Sequence, residues 1–553
     1  MTLKEHIDDI RNELEHQQFT NETAVRQGII NPLLRRSNKM KRITLFFIGF
    51  LLFCVQTLVH AEVTLPRVIG SNMILQRDMQ IPIWGWASAG EEITIILNTE
   101  DESAEPVFST SVVADAEGNW RIKLPAMQAG GPYTLKITGS NALELTNVLI
   151  GEVWVCSGQS NMEWSVRASK DSETEIAAAN YPSIRLFDVP RKPSGLLQDD
   201  VEADWSETTP ETIENFSAVA YYFGRKLYKN LNVPIGLINT SWGGTRIEPW
   251  TPPAGFDSVP TLESISKEIQ EAHANYRQQL PEKMKEIEAW IAKTREALKT
   301  DARLTQIPEN RHALRHQARP TGLYNGMVYP IVPYAVRGAI WYQGESNLRD
   351  GILYHEKMKA LINGWREVWG QGDFPFYFVQ LAPFNYGGWI GDPFFLPQIW
   401  EAQTATLSVP NTGMAVTTDI GNLKDIHPRN KQEVGRRLAL WALAKTYSRD
   451  DVTYSGPLYK SMMVEGNIIR LSFDFVGGGL MARDEEPLTW FEIAGEDKQF
   501  TEAKAIIDGS TILVSSDTVA NPVAVRFGWH QSAEPNLINK EGLPASPFRT
   551  HQW

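Results

Sequence analysis

The chain has 553 residues, 42% of them hydrophobic and 22% charged, which is the balance of an ordinary globular protein and enough length for about two to four domains. A formal net charge of −13 at pH 7 disfavours nucleic acid or any other polyanion as a partner. Two cysteines exclude a disulfide-framed fold.

The first motif in chain order is a leader. Lys41 and Arg42 precede the apolar run Ile43 to Val55, and Val59-His60-Ala61 supplies small residues at positions −3 and −1 of a cleavage site. We read residues 40–61 as a signal peptide, with Glu62 as the mature N-terminus and an exported protein, periplasmic or extracellular, as the product. The apolar run is shorter than the roughly 20 residues a membrane span needs, so no stable membrane anchor is expected. Phe53 before Cys54 departs from the small residue of lipoprotein processing. Residues 1–39, ahead of Met40, are read as a non-native extension, an artefact of the start site. Residues 1–61 hold eight basic and six acidic groups, so the mature chain carries about −15 and keeps Cys156 alone, with no intramolecular disulfide.

Residues 62–148 alternate short apolar runs with turns, as in Ile81 to Trp86, Glu92 to Leu97 and Tyr133 to Ile137, and predict a β-sandwich. Trp84 and Trp86 are two apart and face one side of their strand. From 149 to 450 strands alternate with helices. Leu149 to Val155, Ile235 to Asn239, Gly338 to Tyr342, Phe376 to Leu381 and Met414 to Thr418 read as strands of a parallel sheet, with helical periodicity at Ala218 to Leu231 and Asn430 to Tyr447. An insertion at about 261–304, rich in Glu, Lys, Gln and Ala, predicts two charged helices separated at Pro281. Residues 451–553 return to alternation and predict a small β module.

The chemistry starts at Gly158-Gln159-Ser160-Asn161-Met162, directly after a strand. A serine hydroxyl becomes a nucleophile only when a base takes its proton and donors hold the resulting oxyanion. Three later turns, each after its own β-rich run, can supply those parts: Trp242-Gly243-Gly244-Thr245, Trp341 to Asn347, and Asp425-Ile426-His427-Pro428. Any one of them reads as an ordinary turn. Four of them just past strand ends mark the edge where open α/β sheets gather ligand-binding groups.

This set resembles the SGNH hydrolases and, within them, the sialate O-acetylesterase family, through Gly158 to Met162, Trp341 to Asn347 and Ile426-His427-Pro428-Arg429-Asn430-Lys431, and the likeness runs from about Val63 to the C-terminus. The resemblance implies an α/β, SGNH-type parallel-sheet hydrolase domain flanked by the N-terminal β-sandwich and the C-terminal β module. It implies Ser160 as nucleophile and His427 as base. For the oxyanion hole it implies the backbone N–H groups of Ser160 and Gly244, with Gly243 as an alternative, and the side chain of Gln343, with Asn347 as second choice. SGNH triads carry Asp-x-x-His, which here puts Lys424 at the acid position; Asp425 is the favoured acid, with its backbone carbonyl or Asp419 as alternatives. Glu345 and Asn347 are candidates for substrate binding, and Arg246 and Arg349 for the carboxylate of a sialic acid. No cofactor or metal is implied: no His-x-x-x-His, Cys-x-x-Cys or phosphate-binding loop occurs. The reaction expected is removal of O-acetyl groups from an acetylated carbohydrate, a sialic acid first, through an acetyl-serine intermediate. The rivals are an acetylesterase acting on xylan or another polysaccharide, and a non-catalytic sugar-binding protein that uses tryptophan platforms.

Overall fold

The computed structural model describes residues 62–101, 104–300, 302–309, 311–387 and 391–553. The leader and the extension before it lie outside these residues. At the centre is the 17-residue strand Ala142–Gly158. Its first half pairs antiparallel with Gly130–Thr138, and its second half, buried throughout from Val148, pairs parallel with Ile235–Ser241 on one side and Gly338–Tyr342 on the other. Continuous apolar runs of this kind are what a strand covered on both faces requires. The parallel sheet runs in the order 412–415, 376–379, 338–342, 142–158, 235–241, 181–188, and closes on the antiparallel strand Trp205–Thr208.

Register fixes the functional edge. Ser241, Gly158 and Tyr342 stand level on three neighbouring strands, so the turns that follow them emerge side by side. The chain passes from 142–158 to the far side of 235–241, and later crosses to 338–342 on the opposite flank, which makes this edge a topological switch point. Trp154 packs edge-on against Phe223 of the helix Ala218–Leu231. Trp341, in register with Ser157 and so on the other face, meets Trp250 and Trp365. The helix Lys431–Trp441 packs on Ala218–Leu231. A Cβ on Gly435 would lie 2.7 Å from the Phe223 nitrogen, so glycine sets how closely the two helices approach.

The N-terminal strands form antiparallel pairs, Ile81–Trp86 with Asn119–Leu124, and Glu92–Thr99 with both Phe108–Val113 and Gly130–Thr138. The last of these pairs with the central strand, so the antiparallel strands and the parallel core share one mixed sheet. At the other end, 458–465, 468–474, 511–515 and 504–508 form a four-stranded antiparallel sheet, and 491–494 a second with 501–502, 524–527 and 548–549. Ser546 bonds Gln380 at 2.8 Å and the Gln531 carbonyl accepts the Phe384 N–H at 3.0 Å, which anchors this β region to the loop after 376–379. The insertion differs from expectation. Glu263–Thr300 is one helix that continues through Pro281. Arg277 and Pro281 are both exposed, so water can take the carbonyl that proline leaves unbonded. Among the described residues no helix is long and apolar enough to cross a membrane.

Candidate active site

Gly158 ends the central strand at φ +145°, and a Cβ there would sit 2.2 Å from the Tyr342 carbonyl oxygen, so only glycine lets the chain turn here. The turn starts the short helix Ser160–Glu163 and leaves Ser160 partly exposed. Its first N–H groups have no acceptor within the helix. His427 approaches from the loop after Thr412–Ala415, just before Pro428 and the Asn430 cap of Lys431–Trp441, where Asn430 Oδ1 accepts the Glu433 N–H at 3.2 Å. His427 Nε2 lies 2.9 Å from Ser160 Oγ. The indole of Trp164 stacks on the imidazole with 4.5 Å between centroids and 14° between planes. Burial, and then the nearby Lys431 ammonium, hold the imidazole below its ordinary pKa against the opposing pull of Asp425, which favours the neutral form that a base needs.

Asp425 Oδ1 is 3.5 Å from His427 Nδ1 and accepts the His427 backbone N–H at 2.9 Å. Asp419 faces elsewhere, bonded to Arg437 through both oxygens at 2.6 and 2.7 Å. Of the three alternatives for the acid, Asp419 is thus committed to Arg437, and no bond from it to His427 occurs among the described residues.

Around the second turn, the Gly243 N–H donates to Glu163 Oε2 at 2.6 Å, and Arg191 pairs with the other oxygen of that carboxylate. Gly244 has φ +72° and open space where a Cβ would be. Its N–H has no protein acceptor among the described residues. Gln343 is fully buried, and both hydrogens of its amide are committed, to the Thr245 carbonyl at 3.1 Å and Asn347 Oδ1 at 2.7 Å, while its Oε1 accepts from Tyr354 at 2.7 Å. Asn347 is also fully buried: Oδ1 accepts the Ile247 N–H at 3.0 Å, and Nδ2 donates to Glu248 at 3.1 Å and Asp350 at 2.6 Å. The expected oxyanion role of the Gln343 side chain, and its substitute Asn347, therefore meet a physical obstacle, since neither amide keeps a hydrogen to donate. Both instead tie the second turn to the third.

Arg246 is likewise occupied. Its guanidinium bonds Glu248 at 2.9 Å, both Asp350 oxygens at 3.0 Å and the Ser346 carbonyl at 3.2 Å. Lys357, buried, completes this group at 2.7 Å from each carboxylate, and the two cations hold the Glu248 carboxyl down to about 2 against its burial. Arg349, by contrast, is exposed and forms no ion pair among the described residues. Glu345 Oε1 accepts from Asn161 at 2.5 Å, whereas its Oε2 is buried with no hydrogen-bond partner among the described residues, and burial raises its pKa. No cluster of three or more metal-ligating side chains occurs among the described residues.

Comparison with known proteins gives the family. Residues 150–292 and 311–444 match the family described as carbohydrate esterase, sialic acid-specific acetylesterase. The sialate O-acetylesterase of Pongo abelii is 32% identical over 87% of this chain and 91% of its own length, and that of Rattus norvegicus 31% identical over 73% and 78%. The crystal structure of a carbohydrate acetylesterase from Xanthomonas citri superposes with a TM-score of 0.74 at 36% identity, covering 89% of this chain and all of that one. The chain belongs to the sialic acid-specific acetylesterase family.

It is accordingly a carboxylic ester hydrolase, and its relatives support O-acetyl removal from sugars. In this esterase the sequence did not single out Trp164, Glu163, Asn161 or Lys431. Trp164 lies two residues past the nucleophile motif, and Lys431 lies four residues after His427, at the end of the motif that holds it and the start of the helix that follows. Asn161 reads as a turn residue, and a lysine at a helix start reads as solvated. Lys431 is instead fully buried, against the rings of Tyr342 at 5.2 Å and Trp164 at 6.0 Å.

Proposed function

We propose that this protein is an exported SGNH-type serine esterase that removes O-acetyl groups from sugars, O-acetylated sialic acids first, through an acetyl-serine intermediate. The observation that carries the reading is the 2.9 Å contact of Ser160 Oγ with His427 Nε2, made by a histidine that burial and Trp164 keep neutral and oriented. Ser160 Oγ attacks the acetyl carbonyl as His427 takes its proton. The oxyanion is held by the N–H groups of Ser160 and Gly244, with Gln343 and Asn347 fixing the Gly244 turn from behind. His427 then protonates the departing sugar oxygen, and in the second half activates water to release acetate and restore Ser160. Asp425 orients the imidazole and stabilises its charged form. The leader at 40–61 supports export.

A second reading is an acetylesterase for a neutral polysaccharide such as xylan. It is favoured by the commitment of Arg246 to Glu248 and Asp350, which leaves Arg349 of the two arginines to meet a sialate carboxylate. Acetate release from a panel of O-acetylated sialosides and acetylxylan separates the two. The first reading expects sialosides to lead and Arg349→Ala to raise KM for them alone; preference for acetylxylan, with Arg349→Ala silent, supports the second.

A further inference from the structure

Beneath the nucleophile lies a buried polar cluster that the steps above do not use. Asn161, directly after Ser160, is 1% exposed, and Lys431 is 0% exposed. The Asn161 Nδ2 group donates to the Ile426 carbonyl at 3.1 Å and to Glu345 Oε1 at 2.5 Å, while Asn161 Oδ1 accepts from Lys431 Nζ. One side chain next to the nucleophile is therefore bonded to the backbone next to the base. The orientation of its amide is determined by chemistry, because an ammonium can only donate and a backbone carbonyl can only accept. A flipped Asn161 would set its NH₂ against the ammonium. Burying a lysine is costly unless it is paired, so a cation retained here needs a reason beyond packing.

We propose that Asn161 and Lys431 are positioning residues for catalysis: the Asn161 amide clamps the Ser160 turn to the His427 loop, and the Lys431 ammonium fixes that amide and places a positive charge behind the imidazole. The proposal rests on the Ser160 and His427 reading above. The charged groups around Lys431 are Glu345 from the turn after 338–342, and Asp425 and His427 from the loop before its own helix. The aromatic faces of Tyr342 and Trp164 complete its surroundings. Burial brings the Lys431 ammonium down to about 7, and Glu345 and Asp425 oppose that fall. In the acidic range where His427 gains its proton, Lys431 is thus still charged, and its field opposes that gain.

Two substitutions separate the clamp from the charge. Asn161→Ala removes the amide and keeps the cation. It lowers kcat by about 10–100-fold at every pH while KM stays within about threefold, because the reacting pair is misaligned and not the substrate. Lys431→Gln keeps a donor for Asn161 Oδ1 and removes the charge. It moves the acid limb of kcat/KM upward by about half a pH unit or more and costs less kcat than Asn161→Ala. Thermal melts run beside both, and Lys431→Met, which fills similar space, replaces Lys431→Gln should that variant not fold. A wild-type kcat in Asn161→Ala overturns the clamp, and an unmoved acid limb in the Lys431 variant overturns the role of the charge. Ser160→Ala serves as control: activity within tenfold of wild type overturns this proposal together with the serine mechanism, whereas an inactive Ser160→Ala beside two unaffected variants overturns this proposal, clamp and charge alike, and leaves the serine mechanism standing.

Discussion

Asp425→Asn is the sharpest probe of the acid. The substitution keeps an Oδ1 that can accept the His427 backbone N–H, now at 2.9 Å, and removes only the charge. Unit charges at the observed 3.5 Å between Asp425 Oδ1 and His427 Nδ1 interact by about 5 kcal/mol at an effective dielectric of about 20 and by about 1 kcal/mol in bulk water. The Asp425 side chain is 45% exposed and that of His427 is 25% exposed, which places the pair between those limits, at about 2–3 kcal/mol. The imidazolium forms fully only in the transition state, so this becomes a loss in kcat on the order of 10², smaller than the roughly 10⁴ found where the triad aspartate is buried. The assay is kcat for acetate release above the acid limb, with a thermal melt to show that the fold is intact. A loss under about threefold would refute the carboxylate assignment and leave the backbone carbonyl of Asp425 to orient His427.

Three further outcomes follow from the same structure. Glu248→Gln destabilises the protein by about 3 kcal/mol at pH 7, since the Glu248 carboxyl is held from its ordinary 4.5 down to about 2. A depressed carboxyl stabilises above its unfolded pKa and loses that contribution as pH falls toward its folded one, so urea melts should show the variant and wild type converging between about pH 4.5 and 2; a gap that does not close contradicts the ionic role. Gly158→Ala destabilises by about 2 kcal/mol or more, because its Cβ would meet the Tyr342 carbonyl at 2.2 Å and φ is +145°, and a wild-type melting temperature would contradict the turn. Expression from Met40 yields a secreted protein whose intact mass places the N-terminus at Glu62; retention of residues 40–61 on the secreted protein contradicts the signal-peptide reading.

Much of the site was legible because its parts sit at strand ends, and strand ends can be read from apolar runs. The turns that carry Ser160, Gly243-Gly244 and His427 can be read that way, while the roles of Ser160 and His427 are what the family resemblance implies, and the structure brings the three turns together at a single sheet edge. What the sequence hid is the direction in which side chains spend their hydrogen bonds. Gln343 carries the right amide for an oxyanion, but Thr245 and Asn347, the first about a hundred residues away, take both of its hydrogens. Arg246 reads as a candidate for a sialate carboxylate until Asp350, also about a hundred residues distant, folds against it, with Lys357 bonded to that same Asp350 and to Glu248. Asn161 and Lys431 belong to residue types that are mostly exposed, and only the packing of Tyr342 and Trp164 shows them to be interior. Pro281 misled for the converse reason: proline ends a helix where its lost hydrogen bond is buried, and here the position is open to water.

The most direct test of the account is to trap the covalent intermediate. Wild-type enzyme mixed with an O-acetylated sialoside, quenched in acid during turnover and digested, should carry one acetyl group on the peptide containing Ser160, and Ser160→Ala should carry none while losing turnover on the order of 10⁶-fold. Acetate release by Ser160→Ala within tenfold of wild type, with no acetylated peptide in either protein, would contradict the serine mechanism.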